Sequence, residues 1–146
     1  MSIFDAIANA EYRQHISLLA TLIKMSYADG KLEESEWKTI VKVAEKYGLE
    51  DEKTLKYLRK NYEKYALDTP FTLDERIAQL YDLTKLAYAD GHLDDKEIAI
   101  LKLAVIGLGF PLDKSDLIFE VALSAVKNGT DKETFARLIK DIVLNV

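Results

Sequence analysis

Two segments of one chain carry nearly the same ten residues, and this duplication constrains the fold more than any other feature. YADGKLEESE runs from Tyr27 to Glu36 and YADGHLDDKE from Tyr88 to Glu97, with six identities and two Glu-to-Asp exchanges. Sliding the sequence on itself by 61 residues aligns residues 18–49 with 79–110 without a gap, giving ten identities over 32 positions. Self-similarity at a fixed offset marks a duplicated supersecondary unit, and two copies predict a pseudo-twofold domain whose halves pack on each other.

Each copy has helical periodicity on both sides of its loop. Ile16, Leu19, Leu22, Ile23 and Tyr27 follow three-and-four spacing, which predicts a helix beginning near Ile3 or after Asn9 and ending at Asp29-Gly30. Trp37, Ile40, Val41 and Ala44 restore the period as far as Gly48. In the second copy, Thr72 with Glu75 and Asp94 with Glu97 have the spacing of capping boxes, and Gly107 and Gly109 precede Pro111. Asp51 to Ala66 reads as one further helix, stopped at Thr69-Pro70. Beyond Pro111 the pattern gives a helix over 113–126, an Asn128-Gly129 turn, and a last helix opened by Thr130 with Glu133. No strand pattern occurs, so the expectation is an all-α, bundle-like single domain over 1–146 with six or seven helices.

Composition narrows the function. The 146 residues include no cysteine, which excludes disulfides and thiolate chemistry. The net charge of -5 argues against general affinity for nucleic acid or anionic lipid, and no apolar run is long enough to span a membrane. No basic stretch precedes an apolar one at Met1-Ser2-Ile3, so a cytoplasmic protein without a secretory leader is expected. One stretch differs from the rest: Lys38 to Lys64 holds eight basic and five acidic residues, with Trp37, Tyr47, Tyr57, Tyr62 and Tyr65 beside or among them. Such interleaving allows a basic-aromatic surface, but the expected arrangement is solvated basic faces with the aromatics turned into the core.

The repeated loops are the candidate site. Gly30 and Gly91 are expected at positive φ, Leu32 and Leu93 as plugs into the core, and Glu33 or Asp94 as caps of the next helix. Asp29, Glu33, Glu34 and Glu36 fall within eight residues, as do Asp90, Asp94, Asp95 and Glu97. Such carboxylates repel unless offset, and a hard divalent cation, calcium or magnesium, suits oxygen ligands of this kind. Helix N-termini also welcome negative charge, so capping alone explains much of the pattern. The string Asp-Gly-x-Leu-x-x-x-Glu matches only the later half of an EF-hand loop, since Met25, Tyr27, Leu86 and Tyr88 stand where earlier ligands belong. An enzyme is not expected: His15 and His92 lack catalytic company, and no glycine-rich phosphate cradle is present.

A duplicated Ala-Asp-Gly followed by an acidic turn and a Glu six residues after the Gly resembles the TerB family, the tellurite-resistance-associated helical domain also found in some J-domain co-chaperones. The resemblance covers roughly residues 10–145 and rests on Ala28-Asp29-Gly30 with Glu36 and Ala89-Asp90-Gly91 with Glu97. It implies a cytoplasmic, non-enzymatic, metal-binding stress-response module that works with protein partners, sometimes at the inner face of a membrane. Its candidate metal ligands would be Asp29, Glu33, Glu36, Asp90, Asp94 and Glu97. The His-Pro-Asp tripeptide of J-domains is absent, so co-chaperone activity is not expected. The other reading is a protein interaction domain in which these acids only cap helices.

Overall fold

A computed structural model describes residues 10–146 except Ala28, Asp29, Tyr47, Thr69, Phe71 and Val146. The regular structure of the described residues is helical, with no strand among them. Among the described residues eight α-helices follow in order: α1 (Ala10–Tyr27), α2 (Glu34–Glu45), α3 (Glu52–Lys60), α4 (Tyr62–Tyr65), α5 (Leu73–Ala87), α6 (Asp95–Gly107), α7 (Ser115–Lys127) and α8 (Lys132–Leu144). A single 3-10 turn, Leu112–Lys114, precedes α7. The chain divides into two compact units, one ending at Asp68 and the other beginning at Thr69, so the boundary falls at the predicted Thr69-Pro70 stop.

In the first unit α1 packs against α2, α3 and α4. Leu18, Leu19, Leu22 and Ile23 of α1 bury one stripe, and Ile40, Val43 and Ala44 of α2 bury another. The Thr21 hydroxyl, also buried, donates to the Ser17 carbonyl at 2.8 Å and accepts the Leu67 amide at 2.9 Å, which pins the segment after α4 to α1. A half-buried N–H gains its partner here, so this bond fixes the path of the chain as well as holding it.

The predicted helix over Asp51–Ala66 is two helices, broken at Asn61. Asn61 has φ -122° and ψ 26°, and its side-chain amide donates to the Tyr57 carbonyl at 2.9 Å. An asparagine offers the backbone this local alternative and so ends a helix that periodicity alone would continue. The expected inward turn of the aromatics is also corrected. Leu55 and Leu58 supply the buried side of α3, leaving Tyr57 50% and Tyr65 37% exposed, with Trp37 and Tyr62 half-buried. Tyr47 lies outside the described residues, as does the Ile3 alternative for the start of α1.

In the second unit α5 packs on α6, α7 and α8. Phe135 and Ile139 of α8 are fully buried, and Phe135 packs with Tyr81 in a T-shaped pair, 5.0 Å between ring centroids. Tyr81 keeps its hydroxyl on the Thr130 carbonyl at 3.3 Å. Two helix starts differ from expectation. The turn at Leu112–Lys114 delays α7 to Ser115, and α8 is capped by Asp131, whose carboxylate accepts the Thr134 amide at 2.7 Å, in place of Thr130.

Candidate functional site

Each Asp-Gly loop begins with the same turn. The Gly30 amide donates to the Tyr27 carbonyl at 2.9 Å, and the Gly91 amide to the Tyr88 carbonyl at 2.8 Å. Gly30 has φ +109° and Gly91 φ +79°, conformations that a Cβ disfavours, as the sequence predicts. Leu32 is buried as expected, whereas Leu93 is only half-buried and does not plug its loop fully.

The carboxylates that follow are engaged by backbone amides. Asp90 Oδ1 accepts the His92 amide at 3.0 Å, closing an Asx turn around Gly91. Asp94 Oδ1 accepts the Glu97 amide at 2.8 Å, while Glu97 Oε1 accepts the Asp94 amide at 3.1 Å. This reciprocal capping box satisfies two amides that the first turn of α6 would otherwise leave open. In the first copy Glu36 Oε1 accepts the Glu33 amide at 2.9 Å. The copies differ in burial: Glu97 is 2% exposed, Glu36 is half-buried and Glu33 is exposed. Asp29 lies outside the described residues.

The structure therefore brings Asp94 to Glu97 and Asp90 to His92, and Glu33 to Glu36. Among the described residues, no three Asp, Glu or His side chains are grouped as a metal ion would require. One carboxylate oxygen each of Asp90, Asp94, Glu97 and Glu36 accepts a helix or loop amide. His15 is half-buried on α1 and His92 is exposed.

A feature that the acid pattern does not reveal is a groove in the first unit. About 690 Å³ in volume, it is lined by Tyr27, Lys56, Tyr57, Arg59, Lys60 and Tyr62. Tyr27, the first residue of the repeated segment, stacks on Tyr62 at 5.2 Å and 19° between planes. Its counterpart Tyr88 instead lies under Lys127, 5.8 Å from the ring. The interleaving of basic and aromatic residues is the one sequence signal of this groove, although the aromatics are expected in the core, and the pairing of Tyr27 with Tyr62, 35 positions apart, is visible only in the fold.

No family model, curated protein or solved structure matches the chain. No helix among the described residues is long and apolar enough to cross a membrane.

Proposed function

We propose that the chain is a non-enzymatic, TerB-like helical module that docks a protein partner, with its acidic Asp-Gly loops serving as helix caps. The observation that carries this reading is the reciprocal pairing of Asp94 and Glu97, in which each carboxylate holds the other residue's amide. Capping accounts for the repeat of Asp or Glu with a Glu three residues later, because that spacing lets two side chains satisfy two of the amides left open at a helix start. The TerB resemblance adds a cytoplasmic setting and a role in stress response, and it rests on the repeated motif alone.

A docking role is supported by exposed leucines on the second unit. The Lys114 ammonium donates to the carbonyls of Val143 at 3.3 Å and Asn145 at 2.7 Å, which draws the 3-10 turn to the end of α8. Leu112 and Leu144 sit on these two joined segments, and both are largely exposed. Large apolar side chains left in water on two joined segments are available to a protein contact.

Calorimetry tests the role of the loops. Wild type and an Asp29→Asn, Asp90→Asn double variant are titrated with calcium, magnesium, manganese and zinc. Capping predicts no saturable heat in either protein. Saturable heat with the wild type that the double variant loses would make the loops cation sites.

A further inference from the structure

The groove of the first unit combines three features that belong together chemically. Its wall carries the cations of Lys56, Arg59 and Lys60, and its remaining lining is tyrosine. Residues 52–65 hold five basic side chains, Lys53, Lys56, Arg59, Lys60 and Lys64, against two acidic ones, Glu52 and Glu63. The overall charge of -5 thus hides a local positive field. Among the described residues no carboxylate lies within ion-pair distance of Lys56, Arg59 or Lys60. Arg59 lies over the Trp37 ring at 4.8 Å, and the other two cations of the groove are the ammonium groups of Lys56 and Lys60.

The aromatic side is equally specific. Tyr27 and Tyr62 already form a near-parallel stack, and Tyr57 meets Tyr65 edge-on at 6.2 Å while keeping half its surface open. Partial burial, and then the Glu63 carboxylate, hold the Tyr62 phenol above its ordinary pKa. A flat heterocycle gains from stacking on such rings whatever its identity, and a phosphate gains from the lysines. The cavity volume is within the range of small-molecule sites. A lipid headgroup supplies the anion without the flat ring, and leaves the tyrosines without a role.

We propose that this groove binds a nucleoside phosphate, its base stacking on the tyrosines and its phosphate meeting Lys56 and Lys60. The same chemistry is available from a free nucleotide or from an exposed nucleotide of a single strand. Continuing the 61-residue offset past the repeat, Lys56, Lys60 and Tyr62 fall on Leu117, Val121 and Leu123, none of them charged or aromatic.

Calorimetric titration of the full chain with adenosine monophosphate, inorganic phosphate, adenosine, an oligodeoxyadenylate of about eight nucleotides, and anionic phospholipid vesicles tests the proposal. The monophosphate or the oligonucleotide should bind saturably, with phosphate alone and adenosine alone each about tenfold weaker or worse. Tighter binding of the oligonucleotide identifies a strand as the source, and equal or weaker binding identifies the free nucleotide. A Lys56→Gln, Lys60→Gln variant and a Tyr57→Ala variant, all at exposed positions, should each weaken binding about tenfold with unchanged helical content by circular dichroism. Absence of saturable binding by both nucleotide probes, affinity unchanged in the variants, adenosine binding as tightly as its phosphate, or binding to vesicles alone would overturn it.

Discussion

The carboxylate of Glu97 accepts the amide of Asp94 at 3.1 Å, and the carboxylate of Asp94 accepts the amide of Glu97 at 2.8 Å. This pair lies at the start of α6 with Glu97 almost wholly buried, whereas the corresponding Glu36 at the start of α2 is half-buried. Removing the buried partner strands an amide away from water, while removing the other lets water take its place. Glu97→Ala should therefore cost about 2–3 kcal/mol, and Glu36→Ala about 1 kcal/mol or less. Glu97→Gln keeps an acceptor in place and should fall between wild type and the alanine variant. Urea unfolding of the three variants checks the order, and equal costs at positions 36 and 97 would contradict it.

Thr21 and Thr84 are both buried α-helical threonines whose hydroxyls donate to the carbonyl four residues earlier. Thr21 alone of the two also accepts an amide from a distant segment, that of Leu67. Thr21→Val should cost about 1–3 kcal/mol by leaving that amide without its acceptor, and Thr84→Val should be near neutral. Denaturant midpoints distinguish the two, and similar midpoints would show that the Leu67 bond contributes little.

Two exposed N-caps predict an acid dependence. The Thr54 hydroxyl and then the Lys53 amide hold the Asp51 carboxyl below its ordinary pKa, and the Thr134 amide and then its hydroxyl do the same for Asp131. A carboxyl whose folded pKa is depressed adds stability above its unfolded pKa, and that stability is lost as pH falls through the folded value. Melting temperature should thus fall as pH drops below about 4, and an Asp51→Asn, Asp131→Asn variant should lose less over the same interval. Parallel pH profiles for the two proteins would count against these caps.

The helical class, the two helix-loop-helix segments and the positive-φ glycines were legible because each depends on local spacing. Leu19 and Leu80, Leu22 and Leu83, and Ile40 and Leu101 occupy equivalent positions of the repeat, and all six are buried. The break at Asn61 was not legible, because a polar residue in a helical pattern does not announce that its side chain will bond the backbone. Thr130 and Asp131 are adjacent cap residues, and only the geometry selects Asp131, whose carboxylate reaches the Thr134 amide. Periodicity on the short α3 could not decide which apolar residues face inward, and Leu55 with Leu58 satisfied that need, leaving Tyr57 outside. The acids of the loops were found at once, but their use depends on where each oxygen points.

The central claim, that the Asp-Gly loops cap helices, is tested most directly by melting wild type and Asp94→Ala in millimolar calcium or magnesium and again in EDTA. A cation bound only to the folded chain raises stability by RT ln(1 + [L]/Kd), about 2.7 kcal/mol at a hundredfold excess over Kd. Capping predicts the same wild-type melting temperature with and without either ion, and an Asp94→Ala loss of about 1 kcal/mol in every buffer. A wild-type melting temperature several degrees higher with the ion than in EDTA, and an increase abolished by Asp94→Ala, would contradict it.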